Sequence, residues 1–258
     1  MRPVPELLGR ADELVVLPRL GGMARPNGVV IVSERFWAFA GVDGSLREGR
    51  MPSPPALVQR LPLARGLARL ALSLSPLVRR QGVASLRERL FLLGAVVAPA
   101  VLAFAPPPWG TVGGATVATV LVLTILRGPT LRLHGAEHRA IAAAEQRGLA
   151  DSWRGIRKPS RFSPRCGTNF AALALPVTFL AERTPLPESF WTPFAVLVLS
   201  LALTMELWRA VQASPRGAAY CLLLPGLALQ RLTTREPRLE ETQVALRAVA
   251  AVLARELS

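Results

Sequence analysis

Histidine and cysteine are the scarce chemistry-bearing residues here: two of each in 258 residues, with a single lysine, Lys158. Other common signatures are missing altogether. No G-x-x-x-x-G-K-[ST] phosphate loop occurs, and Gly21-Gly22 resembles none. No spacing suggests a Ser-His-Asp triad, and no segment repeats another. The opening stretch MRPVPELLGRADEL lacks the apolar core of a secretory leader, so no cleaved signal is expected. Acidic residues are few, 17 against 31 Lys and Arg, which leaves a formal net charge of +14.

Apolar residues are plentiful instead, 51% of the chain, with a mean hydropathy of +0.35. A soluble basic protein would carry such charge on an interaction patch, usually for nucleic acid. Here the charge is segregated from four apolar runs, at 90–105, 111–126, 170–180 and 190–208. Each of the first two falls short of the roughly 20 residues that a full span prefers, and flanking residues such as Pro106 to Trp109 extend them. The third rises only about 16 Å as a helix, so a re-entrant helix is its alternative. Of the 31 positive residues, 14 lie in 1–89, 9 in 127–169 and 7 in 209–258, while Arg183 alone lies between the third and fourth runs. Thirty of them therefore fall on one side of a four-span model with both ends inside, as the positive-inside rule requires. An all-α soluble protein would show no such asymmetry. Nucleic acid is not the expected partner; the lipid bilayer is. Both cysteines, Cys166 and Cys221, then face the cytosol, where a structural disulfide is not expected.

The expected fold is mainly α: a polytopic membrane bundle of about four spans, with a small N-terminal β unit and cytosolic amphipathic helices. Residues 1–56 form a cytosolic β-containing segment, in which GVVIVSE and RFWAFAG read as strands and Asp43-Gly44 as a hairpin turn. Residues 57–89 read as an interfacial helix with Leu63, Leu67, Leu70 and Leu74 on one face, either at the membrane surface or packed on the β unit. Residues 90–126 are a first transmembrane hairpin, 127–169 a cytosolic region and 170–208 a second hairpin. In 209–258, GAAYCLLLPGLALQ is broken by Pro225-Gly226, Thr233 or Thr234 suits helix initiation, and an amphipathic helix carries Leu239, Leu246, Val249 and Leu253 on one side.

Both histidines lie in LHGAEHRAIAAAEQ, a helix expected from Leu133 to Gln146 with Gly148 as its stop. His134 and His138 are four residues apart and so share a helix face, where both imidazoles can reach one ion. Glu137 between them completes an H-x-x-E-H pattern, in which the glutamate is the general base. Gly135 suits such a helix only if His134 lies in the first turn. Two histidines need a third ligand. Cys166 and Glu206 are the candidates, because the four-span topology brings both to the depth of the histidines. Glu206 is the one acidic residue in the apolar runs, and an ion pair with Arg209 is its plain structural reading. Cys166 reads equally as a small buried residue. In SRFSPRCGTNF, Arg161, Arg165 and Thr168 read as an anion or lipid-headgroup site near a helix N-terminus.

The segments LGGMARPNGVVIVSERFWAFA, LHGAEHRAI, SRFSPRCGTNF and PGLALQRLTTREP together resemble the YqhQ-like family of bacterial membrane proteins, described as metal-dependent membrane enzymes. The resemblance runs from about Leu20 to the C-terminal helix. It implies a multi-span inner-membrane protein with HGAEH and PRCGT on the cytosolic side, and names no substrate. GGMARPNGVVIVSER departs from the family's usual GGQAV-IEGVMMR-like run, so a shared role for that segment does not carry over. Three functions are expected in this order. The first is a hydrolase using a divalent metal such as zinc on a peptide or lipid bond. The second is a non-catalytic factor in which HGAEH and PRCGT form a polar network, and the β unit or C-terminal helix binds a protein partner. The third is a transporter, for which paired broken helices are lacking. The oligomeric state is not readable.

Overall fold

The computed structural model describes residues 3–14, 16–79, 82–102, 104, 109–125, 128–185, 187, 189–213 and 218–257. The proline linker 106–108, expected between the first two spans, lies outside them. Along the chain run α1 (Val4–Asp12), then four strands: β1 (Gly21–Arg25), β2 (Gly28–Val32), β3 (Phe36–Gly41) and β4 (Leu46–Arg50). Helices α2 (Ala56–Arg60), α3 (Ala64–Ser73), α4 (Ser75–Val78), α5 (Leu86–Leu102) and α6 (Trp109–Ile125) follow. Next come α7 (Gly128–Glu145), α8 (Leu149–Trp153), α9 (Gly167–Ala181) and α10 (Thr192–Ala213), and last α11 (Ala218–Cys221), α12 (Leu224–Thr233) and α13 (Leu239–Glu256).

These elements form two compact units, one of residues 1–53, 127–166 and 227–258, the other of residues 54–126 and 167–226. The first is built on an antiparallel meander in the order β1-β2-β3-β4. β-branched and aromatic residues alternate between its faces, as strand periodicity requires. Val29, Ile31, Ala38 and Ala40 join the core formed with α7 and α13, while Val30, Trp37 and Phe39 are buried on the other face. The expected Asp43-Gly44 turn is present: Gly44 takes φ +87, and the Asp43 carboxylate accepts from the Ser45 N–H at 3.0 Å.

Helix α13 is the axis of this unit rather than an amphipathic accessory. Ten of its residues are buried, and it packs on α7, β2 and β3. The expected face needs one correction, since Leu239, in its first turn, is 45% exposed. Its start is held by the Glu241 carboxylate, which accepts from the Arg238 N–H at 2.7 Å, and not by Thr233 or Thr234. Thr234 instead donates to the Gln230 carbonyl at the end of α12. Asp12 reaches from α1 to cap α8, accepting from the N–H groups of Leu149 and Ala150 at 2.9 Å each.

The second unit is helical. Helix α10, 22 residues long, is the one described helix long and apolar enough to cross a membrane; α9 has 15 residues, α5 and α6 have 17 each. α9 packs along α10, and α5 along α6. The segment 57–89 is not one helix: a break at Leu63, whose φ is +66, separates α2 from α3. Nor is α12 broken at Pro225-Gly226. Pro225 lies in its first turn, where the missing N–H costs nothing, and the break precedes Leu224.

Candidate metal centre

Helix α7 starts at Gly128, five residues earlier than expected, so His134 and Gly135 lie in its middle and not in its first turn. The reason for glycine is a neighbour. The chain leaving α12 crosses α7 at that point, and a Cβ on Gly135 would strike the Arg235 carbonyl oxygen, with Pro237 Cδ at 3.3 Å. The crossing chain is bonded there, the Arg235 N–H donating to the Leu131 carbonyl at 2.9 Å. Helix α7 ends in a Schellman-type turn, with the Gly148 N–H bonding to the Ala143 carbonyl at 2.9 Å. Arg147 and not Gly148 occupies its left-handed position, at φ 53.

The crossing fixes the first histidine. His134 Nδ1 lies 2.8 Å from the Thr233 carbonyl oxygen, which forces it to be the protonated nitrogen and turns the lone pair of Nε2 the other way. His138 is fixed alike, with Nδ1 2.6 Å from the Arg161 carbonyl oxygen. The two rings stand 4.4 Å apart, centroid to centroid. Cys166 Sγ sits 3.2 Å from His134 Nε2, and one donor atom from each of His134, His138 and Cys166 lies within 4.8 Å of the other two. A tetrahedral zinc ion places its nitrogen and sulfur ligands roughly 3.3–3.7 Å apart, from bonds of about 2.0 and 2.3 Å. Cys166 is 6% exposed and His138 2%, and the His138 Nε2 atom is buried without a hydrogen-bond partner among the described residues. Histidines that donate Nδ1–H to backbone carbonyls and present Nε2 are the usual form of metal-ligating imidazoles. The donor set fits an ion of zinc type.

Glu137 is buried, and burial pushes its carboxyl up to about 7, against the pull of His134 and of an N–H from Ala24. It lies against β1: a Cβ on Gly22 would come 2.6 Å from its Cγ and 2.8 Å from its Oε1. Gly22 is therefore where the strand leaves room for the Glu137 side chain, a role that carries no side-chain signature.

The other sequence candidates are engaged elsewhere. In the second unit, Glu206 binds Arg65 in two places, at 2.8 and 2.5 Å, and accepts the Leu63 N–H at 3.3 Å; Arg209 stands at 3.9 Å. Its main partner is thus a residue on α3, distant in sequence, and it is not one of the three grouped donors. Arg161 donates to the Thr234 carbonyl at 3.3 Å and stacks 4.9 Å from the Phe162 ring centre; Arg165 pairs with Glu145 at 2.5 Å. Thr168 lies in the first turn of α9, in the other unit.

Sequence reading passed over the residues that hold the candidate ligands in place. Gln230 is fully buried and binds Ser163 twice, its Oε1 accepting the N–H and its Nε2 donating to the carbonyl, both at 2.8 Å. This clamp fixes the SPRC turn that carries Cys166. Arg139, 6% exposed, joins the Pro159 carbonyl at 3.1 Å to Glu236 at 2.6 Å.

A family model described as "Protein of unknown function (DUF1385)" matches residues 120–255, which include all three donors and both loops that orient them. The chain belongs to this family. Within the DUF1385 match His134, Cys166 and the Thr233-Thr234 backbone meet in space, whereas β1, which lies against Glu137, precedes it. The chain is also similar to "Uncharacterized protein YqhQ" of Bacillus subtilis (strain 168), 29% identical over 131 residues, 49% of this chain. That match spans 41% of the relative's length. No solved structure matches.

Proposed function

We propose that this DUF1385 chain is a multi-pass inner-membrane protein whose cytosolic part holds a divalent metal, zinc by its donor set, and hydrolyses a peptide or lipid bond. One observation carries the metal reading: the Nε2 of His138 is buried without a hydrogen-bond partner among the described residues, in the residue whose donor groups with those of His134 and Cys166. A buried polar atom left unbonded costs about 1–3 kcal/mol, so a purely structural network would have placed a donor there. Three protein ligands leave a fourth position open, the mark of catalytic and not structural zinc sites.

Bound at this position, the ion would supply Lewis-acid polarisation of the scissile group. The chain's own part follows from Glu137. A carboxyl held near 7 by burial takes and returns a proton at neutral pH, which is what a general base requires. The Ala24 N–H and Gly22 backbone fix its orientation. Membrane topology rests on the segregation of positive charge between apolar runs, with α10 as the span of sufficient length.

The test is elemental mass spectrometry of detergent-purified protein beside the His134→Ala, His138→Ala double variant. Near-stoichiometric metal in the parent, lost in the variant, is the expected result. Absence of metal in both after incubation with zinc overturns the reading and leaves the polar network.

A further inference from the structure

A cavity of about 790 Å³ lies in the first unit, away from the histidines, between α1, α13 and the turn from β3 to β4. Its floor is alanine: Ala40, Ala250, Ala251 and Ala254, side chains too short to close the gap between the helices. Leu7 of α1 lines one wall, and Leu46 and Leu257 stand exposed at its lip. An apolar trough of this size has the dimensions of a small-ligand site.

The polar groups of the trough lie at one end. Asp12 caps the start of α8, and Gln243 donates to the Trp153 carbonyl at its other end, so the five-residue α8 alone separates the end of α1 from the beginning of α13. Arg10 and Arg247 therefore share one end of the trough, and Pro3 and Leu257 the other. Along α13, the ten residues from Arg247 to Leu257 span about 15 Å. Arg247 already donates to the Gly41 carbonyl at 3.2 Å and lies near Asp43, which offsets part of its charge. Arg10 has no ion pair among the described residues. The Ser45 hydroxyl is spent on Asp43 at 2.6 Å.

We infer that the trough binds a single fatty-acyl chain whose terminal carboxylate meets Arg10 and Arg247. A peptide would need partners for its amides along the whole trough, and the helix walls bond their own backbone groups. A chain with one anionic end needs polar contacts at one end only, which is the arrangement found. The inference does not depend on the metal centre.

The experiment is photo-crosslinking of the full chain in nanodiscs with a diazirine analogue of palmitic acid, the labelled peptides being mapped by mass spectrometry. Labelling of α1 and α13 peptides is expected, chased by excess palmitate and less well by hexadecanol. Arg10→Glu, at an exposed position, should cut labelling about fivefold, as the loss of one charge-assisted contact would. Ala254→Phe at the trough wall should cut it about tenfold by filling the space. Labelling of these peptides that neither variant changes, or equal competition by hexadecanol, overturns the inference. So does a second copy of the chain or a protein found crosslinked at these helices in place of the lipid.

Discussion

Replacing a mid-helix glycine by alanine ordinarily stabilises a protein, because alanine has the higher helix propensity by about 1 kcal/mol. At Gly135 the sign should reverse. The new Cβ would meet a backbone carbonyl, that of Arg235, with Pro237 Cδ 3.3 Å away, and neither can swing aside as a flexible side chain could. Overpacking of this kind costs roughly 1–3 kcal/mol. Displacing the crossing chain would also stretch the Arg235 N–H to Leu131 bond, worth about 1 kcal/mol. The propensity gain does not cover this, so Gly135→Ala should be destabilised by about 1–3 kcal/mol net. Gly9, within α1, supplies the control: a Cβ there meets nothing within 4 Å, so Gly9→Ala should gain about 0.5–1 kcal/mol. Chemical denaturation of the two variants beside the parent reads both signs at once. The displaced Thr233 carbonyl would also release His134, so zinc affinity in Gly135→Ala should fall about 10–100-fold. A Gly135→Ala protein as stabilised as Gly9→Ala would refute the crossing.

Gln230→Leu should loosen the SPRC turn. Cys221, exposed, should react quickly with a thiol reagent in the parent and buried Cys166 slowly, and the variant should speed Cys166 alone. Glu137 gives a pH dependence of stability in metal-free protein. Its folded pKa, about 7, is raised above the ordinary glutamate value of 4.5, so its contribution is whole below pH 4.5 and is lost as pH rises towards and through 7. The loss should approach about 3 kcal/mol, and Glu137→Gln should flatten that slope in denaturation series between pH 4.5 and 8. Cys166→Ala should bind cobalt(II) more weakly than the parent and without the sulfur-to-cobalt charge-transfer band; an unchanged band would remove Cys166 from the ligand set.

The spacing of His134 and His138 made the metal reading available from sequence, because helix periodicity alone puts residues four apart on one face. Choosing between Cys166 and Glu206 needed more. Both carry ligand-type side chains, and what differs is their company: Arg65 on α3 takes up Glu206 through a contact 141 residues distant, whereas Cys166 lies beside His134. The strands β2 and β3 were legible because their apolar runs are buried on both faces, whereas β1, GGMAR, has neither alternation nor β-branched residues and is a strand only because β2 pairs with it. Helix α13 misled in a different way. The expected apolar face of Leu239, Leu246, Val249 and Leu253 left out the alanines at 245, 248, 250 and 251, which let other elements close in around it, and small residues register weakly in any apolar pattern.

What orients the candidate ligands is least visible of all, and for a physical reason. The atoms that fix the two imidazoles are the carbonyl oxygens of Thr233 and Arg161, and every residue has a carbonyl. Their side chains do other work or face other ways. A sequence can therefore mark the candidate ligands, but their tautomers are set by where the backbone of α12's exit and of the SRFSP loop comes to rest. Those resting places depend on glycine at 135, which removes an obstacle, and on glutamine at 230, whose amide matches the donor and acceptor of Ser163 together. Asparagine at 230 would be one methylene short of both bonds, and glutamate would lose the donor. The QRLTTREP block reads, on this account, as the template of the site rather than part of its chemistry.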